Sequence, residues 1–476
     1  MDRYDVCVVG GGSAGFGAAL ASARSGARTV LVEREETVGG TAVNAGVNMW
    51  EPGVGGTGVP TEIYRKLSEQ PKAVGVYGYG RHFVWGDEFP GGEHVIRSDK
   101  SYADTLRRHG MRSLKEDREF ALENLFGVVF EPVPYSKVMN YLLRETGRCD
   151  IVTARQVIGS ETSENRISLV QTDDGPIEAR YFIDCTGNGT VCASAGCRLV
   201  RGREGRDEYG EPSAPEKADG RLNGVTLVFR ITPRKQENVD PLPEGVPEEC
   251  WWADRFPKAS FVQYPKGGYN VNILPLLSGE EYLAALDAGT AEAVYAECER
   301  RIRAFWYHVQ SEYQEFRACE ISHVFPRIGV REESRVVCRY MLREQDVTSG
   351  ISENQPEDTI AIADHALDRH DQGGGAMELS EPFAIPYRSL VPEGPENLLV
   401  AGRAAGFTSI AASSCRLSRT MMQLGQAAGT AAAFAAAANL PVESVPARTL
   451  KDRLRSDGVT LEWPTEGFIA RAVAHV

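Results

Sequence analysis

The sequence predicts an α/β protein, a discontinuous domain built on a parallel sheet with a second, α+β domain inserted into it. Three observations carry this. The chain opens with an apolar strand, a glycine-rich turn and an Ala-rich helix. It ends with another apolar strand, Asn397 to Val400, then Gly402 and a long small-residue helix. Between them lies a stretch of strands and helices with its own apolar pattern.

Tyr4 to Val9 (YDVCVV) is near-continuously apolar, as a buried parallel strand requires. Ala14 to Ser25 reads as a helix that Gly26 ends, and Thr29 to Val32 as the second strand. Thr41 to Gly58 is Gly-rich and reads as loop, and Thr61 to His94 has no clean period. Tyr135 to Glu145 is helical. Asp150 to Ser160, Arg166 to Thr172 and Tyr181 to Cys185 read as strands, with a hairpin signal at Asp173-Asp174-Gly175. Arg201 to Asp219 is charged and reads as an exposed loop. Gly224 to Ile231 opens a strand-rich region, Glu280 to Glu315 is mainly helical, and Val324 to Tyr340 returns to strand. The last helix runs to about Asn439, where Pro441 stops it.

Composition narrows the function class. The 476 residues hold 52 Lys and Arg against 66 Asp and Glu, a net charge of −14. Such an acidic chain repels phosphate backbones and argues against nucleic acid as a partner. No apolar run reaches the ~20 residues of a membrane span. The chain opens without a basic, apolar leader, so a cytoplasmic location is expected. Ten cysteines are too sparse for a disulfide scaffold. Cys192 and Cys197, with four residues between them, read as buried thiols before a redox pair. No Cys-x-x-Cys occurs, and no metal site is expected.

Gly10-Gly11-Gly12-Ser13-Ala14-Gly15 fits G-x-G-x-x-G between a strand and a helix, and the acid Glu33 ends the next strand. Together these form a dinucleotide fingerprint. Gly10 permits the tight turn, Gly12 the approach of the pyrophosphate, and Gly15 close helix–strand packing. The N–H groups of Ser13 and Ala14 face the phosphates, while Glu33, with Arg34 beside it, meets the adenosine ribose. The pattern alone serves FAD or NAD equally. No second unit of this kind follows a strand, since Gly53 to Gly58 lacks one, so no separate nicotinamide domain is expected.

Gly39-Gly40-Thr41 just beyond the acidic strand end resembles the FAD-binding flavoproteins of the glutathione reductase type. The disulfide reductases of that class carry two cysteines in this segment, where this chain has Ala42 and Val47. Thiol exchange beside a flavin is therefore not implied. Cys185-Thr186-Gly187 resembles their alanine-threonine-glycine motif, and Gly402-Arg403 their final strand end, with Arg in place of the usual Asp. Further blocks, Arg327 to Glu332, Ala366 to His370, Ile385 to Leu390 and Gly425 to Ala432, resemble an FAD-dependent oxidoreductase family distantly related to fumarate reductase flavoproteins. The resemblance implies a Rossmann-like FAD-binding domain over residues 1–222 and 383–476, with an irregular insertion at about 61–132. It implies an inserted α+β substrate domain at 223–382. It also implies that Gln426 and Ala427 of the last helix reach the cofactor. Gly425, Gly429, Ala433 and Ala437 lie on one face of that helix and suit a close approach to sheet or cofactor. Its N-terminus would point a positive dipole at the flavin N1/C2 edge.

For the chemistry, a strand at Val324 to Tyr340 would place Arg331, Glu333 and Arg335 on one face, suited to an anionic or polyhydroxyl substrate. His370, two residues after Asp368, is a candidate base for proton removal during hydride transfer. His323 is a weaker one. The resemblance adds Tyr387 and Arg388 at flavin or substrate, and Arg416 is a candidate anion holder. The expected activity is hydride transfer between a small hydroxylated, carbohydrate-like or carboxylate-bearing molecule and flavin. The electron partner would be oxygen, a quinone or a protein, and a homo-oligomer is compatible. The rival readings are an FAD-containing hydratase or isomerase, and an FAD-binding protein without turnover.

Overall fold

The structure is a computed structural model and describes residues 3–78, 82–84, 99–107, 124–249, 258–370, 376–463 and 467. Much of the expected insertion at 61–132 lies outside these residues.

Strand β1 (Tyr4–Val9) leads through the glycine turn into helix α1 (Ser13–Arg24) and strand β2 (Thr29–Val32). Helix α2 (Pro132–Glu145) precedes β3 (Cys149–Val152), β4 (Val157–Ser163), β5 (Arg166–Thr172) and β6 (Gly175–Asp184). The expected strand Asp150 to Ser160 is thus two strands, broken where Ala154 takes a positive φ of 52°. β3, β2, β1 and β6 run parallel in that order, and the later strand Leu398–Val400 pairs parallel with the end of β6. β5 and β4 extend the sheet antiparallel from the start of β6.

The register fixes where a ligand can sit. Val9 lies opposite both Val32 and Asp184, and Asp184 opposite Val400. Gly10, Glu33, Cys185 and Ala401 therefore leave the sheet together, at the carboxyl ends of four parallel strands. That edge is where open α/β sheets bind ligands.

A second sheet orders Cys319–Val324, Phe229–Pro233, Tyr269–Ile273, Lys258–Gln263 and His82–Val84. The long helix Ala291–Glu312 covers it, and Phe229, Phe305, Trp306 and Phe316 form its own apolar core. From Val336 onward the chain packs instead mainly in the first core, with Ile351, Ile362 and Ala384 in a small separate cluster beside Val54.

Three expectations change. Val324 to Tyr340 is not one strand: Cys319–Val324 stops at Phe325, and only Ser334–Val336 is extended further on. Between them the backbone bonds irregularly, with Arg327 N on Asn44 O (3.0 Å) and Gly329 N on Thr226 O (2.7 Å), as the chain crosses between the two cores. Arg201 to Asp219 is not a solvated loop, because Glu204 and Glu211 are buried in it. They are buried because fully enclosed Arg335 donates to Glu204 (2.7 Å), as well as to Glu332, while Glu211 accepts Glu344 N and the Thr408 hydroxyl. Finally, the small face of the last helix, Ser418–Ala438, packs against α1 rather than a cofactor. A Cβ on Gly425 or Gly429 would lie 1.9 or 2.0 Å from the carbonyls of Ala14 and Ala18, and Ala437 at the far end is exposed.

Candidate functional site

A cavity of about 1940 Å³ runs from the carboxyl edge of the main sheet to the loops beside the second sheet. Single-ligand sites usually measure about 300–1,000 Å³. The volume suits a dinucleotide and a second molecule together.

The dinucleotide end is built by the glycine turn. Gly10 has φ +96°, and a Cβ there would lie 2.5 Å from Cys185 O. Gly15 sits directly on Gly10 O, so α1 starts hard against the strand end. Gly12 caps α1 without a side chain, and the first turn Ser13-Ala14-Gly15 carries no acid. Its N–H groups are left for an anion. Facing it, Gly40 (φ +53°) brings its backbone so close that a Cβ would be 2.7 Å from Gly12 Cα. Gly39 supports this turn from behind, its N–H on Gly11 O at 2.8 Å. Glu33 accepts the N–H groups of Gly11 and Glu35 and remains on the cavity wall. Burial pushes its carboxyl above the usual range. Arg34 stands exposed at the rim, paired with Glu35.

Thr41, Thr186, Gly187, Gly402 and Arg403 also line the cavity. Thr186 donates its hydroxyl to Asp184 (2.6 Å), and Arg403 donates to Gly187 O (2.8 Å) and Val330 O (3.0 Å), bridging the gap between the two cores. Asn44, Asn48 and Trp50 sit on the wall, and each holds a buried N–H donor with no partner among the described residues. Orphaned donors beside a side-chain-free helix cap are what a bound FAD would satisfy.

At the other end, four separate loops bring charged groups together. His370 Nε2 lies 2.6 Å from Asp368 Oδ2, and Arg416 Nη2 reaches the same oxygen at 2.8 Å. His365 Nε2 lies 3.1 Å from Glu51 Oε2. Arg331 donates to Gly224 O at 2.8 Å and has no carboxylate partner among the described residues. Burial, then the charge of Arg331, pushes the His370 imidazole down to about 4. Burial works against the Asp368 carboxylate, but the His370 hydrogen bond and Arg416 outweigh it and hold it far below its usual range. Burial and Arg416 bring the Arg331 guanidinium down to about 9. Burial disfavours a charged His365, yet Glu51 carries it above its ordinary value, and the pairing brings Glu51 down to about 2. At neutral pH, His370 is therefore neutral, while Glu51 favours the charged form of His365.

Several sequence candidates lie elsewhere. Gln426 and Ala427 are eight or more residues into the last helix, about 12 Å from its first residue and beyond the first turn, Ser418 to Met421, that meets the cavity. Gln426 instead approaches Val59 N with its carbonyl (3.5 Å), and Ala427 is in the core. Tyr387 is buried with its hydroxyl on Val442 O (2.8 Å), because Pro386 ends its strand and turns it toward the C-terminal segment. Arg388 points outward and pairs with Asp358 (3.0 Å). His323 is exposed on the second sheet. Arg335 does not share a face with Arg331, being enclosed by carboxylates. Gly53 to Gly58 does follow a short strand, Met49–Trp50, and opens the helix Val59–Ser68. Its glycines are nonetheless filled from outside: Cβ atoms on Gly55 and Gly58 would meet Ile362 O at 2.1 Å and Gln426 Oε1 at 2.9 Å. No phosphate cradle forms there.

His365 and Glu51 were not singled out from the sequence. His365 lies five residues before His370 on the same loop, a usable signal, whereas Glu51 has none.

A family profile described as FAD dependent oxidoreductase matches residues 5–454. A 44-residue stretch is 49% identical to the mitochondrial dihydrolipoyl dehydrogenase of Schizosaccharomyces pombe, covering 9% of each chain. A 113-residue stretch is 28% identical to the fumarate reductase (cytochrome) of Shewanella frigidimarina, covering 24% of this chain and 17% of that one. The matches thus span only a small part of these curated relatives. Among solved structures, a geranylgeranyl bacteriochlorophyll reductase-like protein of Thermoplasma acidophilum aligns with TM-score 0.46 and 13% identity, over 100% of this chain and 96% of that one. A glycine oxidase of Geobacillus kaustophilus aligns with TM-score 0.39 and 13% identity, over 94% and 96%. Among the described residues, no helix is long and apolar enough to cross a membrane.

Proposed function

The chain belongs to the FAD dependent oxidoreductase family, and from that premise we propose that it transfers a hydride between a small carboxylate-bearing molecule and the flavin. FAD, when bound, supplies the two-electron hydride acceptor. The fingerprint residues Gly10, Gly12, Ser13, Ala14 and Glu33 hold its adenosine and phosphate half, and Asn44, Asn48 and Trp50 offer donors to the rest.

The observation that carries the substrate reading is Arg331. It is a half-buried guanidinium on the cavity wall with one backbone acceptor and no carboxylate partner among the described residues. A sequestered cation of this kind is costly unless an anion arrives, and its planar fork matches a carboxylate. Arg416, anchored on Asp368, adds a second positive charge beside it. His370 is the proton-transferring group. Its Nε2–H is taken by charged Asp368, which leaves the lone pair on Nδ1, and as a neutral imidazole it can accept a proton at pH 7. The electrons then leave to oxygen, a quinone or a protein, since Gly53 to Gly58 offers no second dinucleotide cradle. The unit around the second core, which takes up only the first part of the expected span 223–382 before the chain returns to the first core, is proposed as the substrate side.

An anaerobic screen of hydroxy acids, amino acids, sugars and enoates against the flavin spectrum tests this. Bleaching by a carboxylate supports it. Bleaching only by uncharged substrates refutes the Arg331 assignment, and turnover without bleaching favours a hydratase or isomerase.

A further inference from the structure

The proton-transfer role assigned to His370 leaves a second imidazole on the same wall unexplained. His365 is only 8% exposed, with Nε2 fixed on Glu51 at 3.1 Å, and its carbonyl is held by the Ser414 hydroxyl. Ring and backbone are thus both pinned. Its other nitrogen, Nδ1, is buried without a hydrogen-bond partner among the described residues. Such an orphaned polar atom is destabilising unless a ligand satisfies it. His365 and Glu51 line the same cavity as Arg331 and His370.

We propose that His365 Nδ1 is the specificity contact for a second substrate oxygen, so that the site takes 2-oxo and 2-hydroxy carboxylates in preference to unsubstituted ones. The inference rests on the reading of Arg331 as the carboxylate seat. On this reading the carboxylate sits on Arg331, and an oxygen on the adjacent carbon meets Nδ1 across the cavity that both residues line. The groups facing the ring are Glu51, Arg416 and Asp368, with Arg331 and His370 beyond them. Against the effect of burial, Glu51 raises the ring above its ordinary value, which favours the charged form, and in that form Nδ1 carries a hydrogen and donates. A 2-oxo group only accepts, so its contact is lost as rising pH removes that hydrogen. A 2-hydroxyl can donate to the bare nitrogen and is retained.

The test is calorimetric titration of the oxidised holoenzyme with propionate and 2-oxopropionate, and with phenylacetate and phenylglyoxylate as a larger pair. The 2-oxo acid of each pair is expected to bind about tenfold more tightly near pH 6, and this advantage to shrink as pH rises. His365→Gln keeps an amide at the Glu51 end but nothing at Nδ1, and should lose the preference. His365→Asn places an amide nitrogen near the Nδ1 position and should keep it. The flavin spectrum reports that both variants remain loaded. Equal binding within each pair, or an undiminished preference in His365→Gln, overturns the proposal while leaving the Arg331 reading intact. Failure of all four acids to bind overturns the Arg331 reading, and this one with it. Loss of FAD from His365→Gln would place His365 in the cofactor shell and overturn it as well.

Discussion

Gly425→Ala should damage FAD binding from a position that does not line the cavity. The added Cβ would lie 1.9 Å from the carbonyl oxygen of Ala14, and 2.7 Å from its carbon. Both are backbone atoms and cannot rotate away. An ordinary contact begins near 3.4 Å, so the last helix and α1 must part by roughly 1.5 Å. Alanine gains up to ~1 kcal/mol over glycine in a helix interior, but overpacking a filled contact costs ~1–3 kcal/mol. A net loss of about 1–2 kcal/mol of apoprotein stability follows. Ala14 sits in the first turn of α1, on the cavity wall, so the displacement also moves the N–H groups meant for the pyrophosphate. FAD affinity should fall about tenfold or more. Fluorescence-quenching titration of apoprotein with FAD, beside a thermal melt followed by circular dichroism, measures both effects. Gly220→Ala, which meets nothing within 4 Å at an unstrained backbone, is the control. Wild-type affinity and melting in Gly425→Ala would refute the reasoning.

Gly12→Val meets only Gly40 Cα at 3.7 Å from its Cβ, so the apoprotein should melt normally while FAD titration shows the cradle filled. Arg335→Met removes a fully buried guanidinium and leaves Glu204 and Glu332 without it; urea unfolding should show a loss of about 3–5 kcal/mol. The rate of flavin reduction should fall as pH drops through about 4, because His370 gains a proton there and ceases to be a base; a rapid-mixing pH series checks this.

The dinucleotide end was legible because its chemistry is local. Gly10 to Gly15 and Glu33 belong to one βαβ unit, and their spacing follows from one turn and two strands. His370 with Asp368 was legible for the same reason. Arg331 was named as a substrate contact, but through a strand that does not exist: Pro326 and Gly329 interrupt the extended run where the chain leaves the second core for the first. Glu51 was invisible, since only tertiary packing brings the loop after Trp50 to the loop holding His365, more than 300 residues away. Gln426 and Tyr387 looked like site residues by block order alone. Helix rise carries the first beyond the cavity, and a turn after Pro386 buries the second.

Anaerobic rapid-mixing reduction of wild type, His370→Ala and Arg331→Ala, using the acid that bleaches the flavin fastest, tests the charged end of the cavity most directly. Both variants should keep the FAD spectrum. His370→Ala should slow the limiting rate by ~10²–10⁴-fold. Arg331→Ala should chiefly raise the substrate concentration needed for half-maximal rate, by about tenfold or more, as expected for a charge-assisted contact of roughly 1.5–3 kcal/mol. Reduction of His370→Ala at the wild-type rate, or unchanged substrate dependence in Arg331→Ala, would contradict the assignment of this end of the cavity to the substrate.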